Sequence, residues 1–137
     1  DGAIHRKGGK AILEECKRIR NQQEGCKTGQ AVITTAGNLP SKKVIHTVGP
    51  VWKGGNQKED EMLRNCYLNS LKLAEVHKIK SLAFPNISTG VYGYPKDLAA
   101  EVAVKAVKEF KSENEIIEKV VFVCFDQENY NLYKGLL

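Results

Sequence analysis

An aspartate and a histidine four residues apart, Asp1 and His5, open the sequence. On a helix that spacing puts both side chains on one face, where a carboxylate beside an imidazole can act as a general base on water. A helix-capping Asp followed by a half-buried His is the commoner origin of such a pair. A second stretch with chemical content is Ile87-Ser-Thr-Gly-Val-Tyr-Gly-Tyr-Pro95. Its glycines, Gly90 and Gly93, let main-chain N–H groups approach a ligand closely. Successive N–H donors leading into a helix N-terminus stabilise phosphate oxygens without any lysine. Tyr92 and Tyr94 add flat faces for a sugar or a base. An ordinary strand-to-helix connection, with tyrosines covering the core edge, would have the same composition.

Other reactive side chains read as structural. His46 lies on an apolar run and is expected to be a hydrogen-bonded core histidine, and His77 a solvated helix end. Cys16 and Cys66 fall on apolar helix faces and Cys124 in an apolar strand, so packing explains them. Cys26 is in a loop with no evident histidine to activate it. Cys26 also stands where a P-loop needs glycine directly before Lys27, and Gly90-Val-Tyr-Gly93 does not complete the dinucleotide fingerprint. Nucleotide-hydrolase and nicotinamide chemistry therefore lose their main support.

These residues need elements to position them. Ile12, Cys16 and Ile19 keep helical spacing and predict a first helix to about Arg20, broken by Gly25. Ala31 to Thr35 and Lys43 to Val48 are β-branched runs separated by Gly37, Asn38 and Pro40, and predict two strands. Leu63, Tyr67, Leu71 and Ala74 predict a helix over 58–77. Ser81 to Phe84 predicts a third strand, after which comes the glycine-rich loop. Leu98, Val102, Ala106 and Phe110 mark another helix, Val120 to Phe125 a fourth strand, and 128–136 a short final helix. Strands that alternate with helices and are apolar throughout indicate a sheet buried on both faces. The expected class is α/β in three layers, as one domain spanning 1–137. In such sheets ligands sit beyond the carboxyl ends of the strands, which selects the Ile87–Pro95 loop.

Composition limits the alternatives. The chain has 137 residues, 42% hydrophobic, enough for one core. The longest apolar run, Val120 to Phe125, has six residues, whereas a membrane-spanning helix needs about 20. Four cysteines without a C-x-x-C pair fit reduced thiols and a cytoplasmic setting. Net charge is +5, but acids interrupt the basic residues, as in Lys58-Glu-Asp-Glu61, so no dedicated nucleic-acid face is expected.

The sequence resembles a macrodomain, and within that family the MacroD-type hydrolases of ADP-ribose esters. The stretches that carry the resemblance are Asp1-Gly-Ala-Ile-His5, Gly25-Cys-Lys-Thr-Gly-Gln-Ala31, Lys43-Val-Ile-His-Thr-Val-Gly-Pro-Val-Trp52, Ala83-Phe-Pro-Asn-Ile-Ser-Thr-Gly-Val-Tyr-Gly-Tyr-Pro95 and Phe122-Val-Cys-Phe125. They run in the family's order over the whole chain. The resemblance implies a three-layer α/β/α sandwich around a central mixed sheet. It implies that Ser88, Thr89, Gly90, Val91, Tyr92 and Gly93 wrap a diphosphate, that Asp1 activates water, and that His5 shapes the pocket beside it. Phe125 would pack against the adenosine end, with Asp126 following it. The implied ligands are ADP-ribose, O-acetyl-ADP-ribose and mono-ADP-ribosylated acidic side chains of proteins, without metal or redox cofactor.

In the family, strands, an adenine-reading aspartate and a glycine-rich loop precede the Asp-Gly-Ala-Ile-His motif. A chain opening on that motif is expected to lack amino-terminal strands and to self-associate through the sheet edge left exposed. Two other functions remain open at this level. One is an ADP-ribose reader without turnover; the other is a basic binder of nucleic acid or poly(ADP-ribose), whose affinity would fall steeply with salt.

Overall fold

A computed structural model describes residues 2–23 and 25–137. Asp1 lies outside the described residues, and with it one half of the Asp1–His5 pair. The first helical pattern folds as two pieces, α1 (Gly2–Gly8) and α2 (Lys10–Gln23), not as one helix ending near Arg20. Gly9 separates them at φ +84, a conformation that residues with a Cβ rarely adopt. Asn38 donates its main-chain N–H to the Gly8 carbonyl at 2.8 Å, which fastens this break to the loop after the first strand.

β1 (Ala31–Thr35) and β2 (Lys43–Thr47) follow and pair antiparallel, with Ala31 opposite Thr47 and Thr35 opposite Lys43. α2 and α3 both contact β1. The long helix α3 (Glu59–Val76) buries Leu63, Tyr67, Leu71 and Ala74, the stripe that its periodicity predicts. Its first turn carries Glu59, Asp60 and Glu61, acids at the positive end of the helix dipole. β3 (Ser81–Phe84) leads through the loop to α4 (Lys96–Ser112), then β4 (Lys119–Phe122) and α5 (Gln127–Leu136). β3 and β4 are parallel, with Ser81 opposite Lys119 and Phe84 opposite Phe122.

Small residues on α4, Ala99, Ala100, Ala103 and Ala106, are all buried and share one core with the α3 stripe, Phe84, Ile117 and Tyr133. Side chains this short let the α4 backbone approach its neighbours. Aromatic pairs fill the space beneath β3 and β4, with Tyr67 against Phe84 at 4.9 Å and Phe122 against Tyr133 at 4.8 Å between ring centroids.

Helices and strands mix as the α/β class requires, with two differences. Among the described residues the strands form two two-stranded sheets, β1–β2 and β3–β4, instead of one continuous mixed sheet. The β3–β4 sheet is also covered on one face only: Leu82, Phe84, Val120 and Phe122 pack inward, while Ala83, Val121 and Val123 are exposed. An apolar run therefore did not mean burial on both sides here. β4 also stops at Phe122, three residues before the apolar run ends, because the chain turns out to reach Phe125 and the start of α5.

Candidate functional site

The loop between β3 and α4 is a compact turn held by its own backbone. Tyr94 donates its N–H to the Ser88 carbonyl at 2.9 Å, and Gly93 donates to the Gly90 carbonyl at 3.0 Å. Thr89 Oγ1 donates to the Asn86 carbonyl at 3.2 Å. Ser88 has φ +67, a left-handed conformation that costs a residue with a Cβ and recurs at ligand-holding turns. Among the described residues, the main-chain N–H groups of Ser88 through Tyr92 have no acceptor in the protein. Five consecutive N–H donors lie between a strand end and the first turn of α4, an arrangement that suits an anion with several oxygens.

Open space surrounds the same loop. A Cβ at Gly90 or Gly93 would meet nothing within 4 Å. Val91 is fully exposed and Tyr92 is 43% exposed, so the Tyr92 ring can face a ligand. Tyr94 cannot: it is buried, with its ring 4.7 Å from that of Trp52. Its expected role as a ligand surface gives way to core packing. The Ser88 hydroxyl is buried with no hydrogen-bond partner.

Residues from two other connections reach this loop. Trp52, after β2, donates its main-chain N–H to the Tyr92 carbonyl at 2.8 Å. Gly49 abuts Ser88 so closely that a Cβ there would collide with Ser88 Oγ and lie 2.7 Å from Ile87 Cγ2. Beyond β4, Phe125 donates its N–H to Asn86 Oδ1 at 2.8 Å, while its ring is 92% exposed. Asp126 caps α5 by accepting the Asn129 N–H at 2.8 Å, and its second oxygen accepts from Lys96 Nζ at 2.8 Å. The Lys96 ammonium, followed by the Asn129 N–H, holds the Asp126 carboxyl below the usual aspartate range. Both Asp126 oxygens are thus engaged in joining the starts of α4 and α5.

His5, on α1, stacks at 6.3 Å between ring centroids with His46 of β2. The Thr34 hydroxyl donates to the Thr35 carbonyl at 2.9 Å, so it accepts from His46 Nε2 at 2.9 Å, which fixes the proton of neutral His46 on Nε2. Cys16 Sγ lies 3.9 Å from the same nitrogen. Burial, reinforced by His5, pushes the His46 pKa down. This makes His46 the hydrogen-bonded interior histidine that its apolar strand suggested. His77 is exposed at the end of α3. Cys66 and Cys26 are raised by burial, which fits packing and not nucleophilic use.

The structure thus joins Ser88 to Gly93 with Phe125 and Asp126, while His5 has its ring neighbour on β2. Sequence reasoning missed Asn86 and Gly49. Gly49 entered only as part of the Lys43–Trp52 stretch, and its missing Cβ serves close approach to Ser88. A separate cleft of about 520 Å³, lined by Gln30, Ala31, Asn69, Lys72, Leu73 and Val76, contains none of these residues. Among the described residues no three His, Cys, Asp or Glu side chains converge as metal ligands.

Comparison with known proteins gives four matches. The Macro domain family model matches residues 1–103. The O-acetyl-ADP-ribose deacetylase of Escherichia coli K12 is 58% identical over 137 residues, covering 100% of this chain and 77% of that protein. The Oceanobacillus iheyensis macrodomain with ADP superposes at TM-score 0.92, 41% identical, over 98% of this chain and 72% of that one. A Trypanosoma brucei macrodomain in complex with ADP-ribose follows at TM-score 0.87, 37% identical, over 98% of this chain and 55% of that one.

Proposed function

This chain belongs to the Macro domain family, and from that premise we propose that it binds ADP-ribose and hydrolyses ADP-ribosyl esters, O-acetyl-ADP-ribose among them. The observation that carries the reading is the run of five unaccepted N–H groups from Ser88 to Tyr92 at the head of α4. A pyrophosphate offers the oxygens such a run requires, and the exposed Phe125 ring supplies an apolar surface for the adenosine end. The 58% identity to an O-acetyl-ADP-ribose deacetylase supports ester hydrolysis over simple recognition.

The chemistry needs one activated water. Asp1 takes the role of general base: its carboxylate accepts a proton as the water oxygen bonds to the anomeric carbon of the distal ribose, and the bond from that carbon to the acyl oxygen breaks, so that acetate leaves as its carboxylate, ADP-ribose is formed, and the proton passes from Asp1 to solvent. His5 shapes the pocket beside it. Esters of ADP-ribose with Glu or Asp side chains offer the same bond, so removal of mono-ADP-ribose from acidic side chains of proteins belongs to the same proposal. The four free thiols suit the reducing cytoplasm as its setting. The sheet edges unpaired among the described residues, and the exposed Val121 and Val123, support self-association.

Release of ADP-ribose from O-acetyl-ADP-ribose tests the proposal. Asp1→Asn should lower turnover by about 10²–10⁴-fold, and unchanged turnover would remove Asp1 from the mechanism. ADP-ribose binding without turnover by the wild type would make the chain a reader. No calorimetric heat with millimolar ADP-ribose would end both readings.

A further inference from the structure

Parallel β3 and β4 keep their hydrogen-bond ladder as far as the Val123 N–H, which donates to the Phe84 carbonyl at 2.8 Å. Two residues further along each strand, the next rung would join the Phe125 N–H to the main-chain carbonyl of residue 86. That carbonyl instead accepts the Thr89 hydroxyl at 3.2 Å, because the chain has left the sheet and entered the loop. The Asn86 side chain takes its place: its Oδ1 accepts the Phe125 N–H at 2.8 Å. The sheet thus gains a rung made by a side-chain amide at the point where both backbones diverge.

One residue consequently holds both halves of the proposed site. Its main chain braces the loop through Thr89, and its side chain fixes the backbone of Phe125. The fixation matters because the ring itself is 92% exposed, so its placement is set by its backbone. Asn86 Nδ2 is buried with no partner within 3.5 Å and interacts with the Tyr133 hydroxyl, whereas its Oδ1 makes the shorter, well-formed bond to Phe125. The bond that reaches the site is the one its oxygen makes. Asp126, the next residue, is pinned by Asn129 and Lys96, so with Asn86 in place the Phe125 backbone is clamped from both sides.

We propose that Asn86 is a positioning residue for ADP-ribose, whose side-chain rung sets the placement of the Phe125 ring relative to the Ser88–Tyr92 amides. The proposal rests on the ADP-ribose reading above and adds the residue that joins the two ends of the ligand site. It predicts a loss in binding and not in the chemical step, because the rung lies at the adenosine end and not beside the reacting ester.

Two measurements test it. Amide hydrogen exchange at Phe125 should quicken at least about tenfold in Asn86→Ala and stay near wild type in Asn86→Asp, whose carboxylate still accepts the N–H. In calorimetry with ADP-ribose, Asn86→Ala should weaken affinity about threefold to tenfold, raising KM for O-acetyl-ADP-ribose with kcat little changed. In a Phe125→Ala background the same substitution should cost nothing further. Unchanged exchange, or full additivity of the two substitutions, would overturn the proposal while leaving the ADP-ribose reading intact. Wild-type protein that does not bind ADP-ribose would overturn both, and the exchange result would still report whether Asn86 holds Phe125.

Discussion

The Trp52 main-chain N–H donates to the Tyr92 carbonyl at 2.8 Å, so the connection leaving β2 is stitched to the loop leaving β3. With Gly49 pressed against Ser88, this makes two points of contact between segments separated by about forty residues of chain. The loop is thereby shaped from outside as well as by its own turns. A loop fixed in this way can keep several N–H groups pointing at one place without a ligand present, and preorganisation of that kind lowers the ordering cost of binding.

Gly49→Ala tests this arrangement. The added methyl would collide with Ser88 Oγ and crowd Ile87 Cγ2, so the Ser88 and Ile87 side chains must turn or the loop backbone must shift. Affinity for ADP-ribose should fall at least about tenfold, while the melting temperature changes by only a few degrees because the core beneath is untouched. Calorimetry and thermal melting of the same samples separate the two effects, and unaltered affinity would show that the loop yields freely.

Glu59 gives a prediction in pH. Its buried carboxylate accepts the N–H groups of Lys53 and Gly55 at 2.9 Å and of Gln57 at 2.6 Å. Burial pushes its pKa up, but these donors outweigh burial and bring it from 4.5 to about 2. A depressed carboxyl pKa stabilises the fold fully above about 4.5, and the contribution is lost as pH falls from there towards 2. Glu59→Gln should therefore be less stable than wild type at pH 7, with the gap closing between pH 5 and pH 2. Urea melts across that range check it, and a gap independent of pH would contradict the assignment.

Much of this was legible in the residues, for reasons specific to each element. The helix of Leu63, Tyr67, Leu71 and Ala74 was visible because its period is the burial pattern itself, and Ser81 to Phe84 because Lys80 and Pro85 bound it. The break at Gly9 was hidden, since the apolar spacing of Ile12, Cys16 and Ile19 continues through α2 and says nothing of where it begins. The end of β4 was hidden too: Val123 and Phe125 are apolar yet exposed, and composition does not distinguish a core strand from a ligand surface. Tyr92 and Tyr94 show the same limit, for two tyrosines two residues apart went to opposite environments. Asn86 could not be found by pattern, because its role depends on a rung that exists only once β4 lies alongside.

The β3–β4 sheet leads to the last prediction. Parallel sheets are ordinarily covered on both faces, yet Val121 is 39% exposed and Val123 is 55% exposed on the uncovered side. Neither β3 nor β4 has a second strand partner among the described residues. Open edges beside an apolar face favour pairing with another chain. Light scattering should show a mass that rises with concentration beyond that of one chain. Val123→Lys should shift the protein towards the monomer, because each chain would have to bury an unpaired ammonium at the contact. A wild type that stays monomeric at millimolar concentration would show that this face is not a contact surface. If Val123→Lys remained as associated as the wild type, the association would have to run through another edge, and β1, whose one strand partner among the described residues is β2, would be the next to alter.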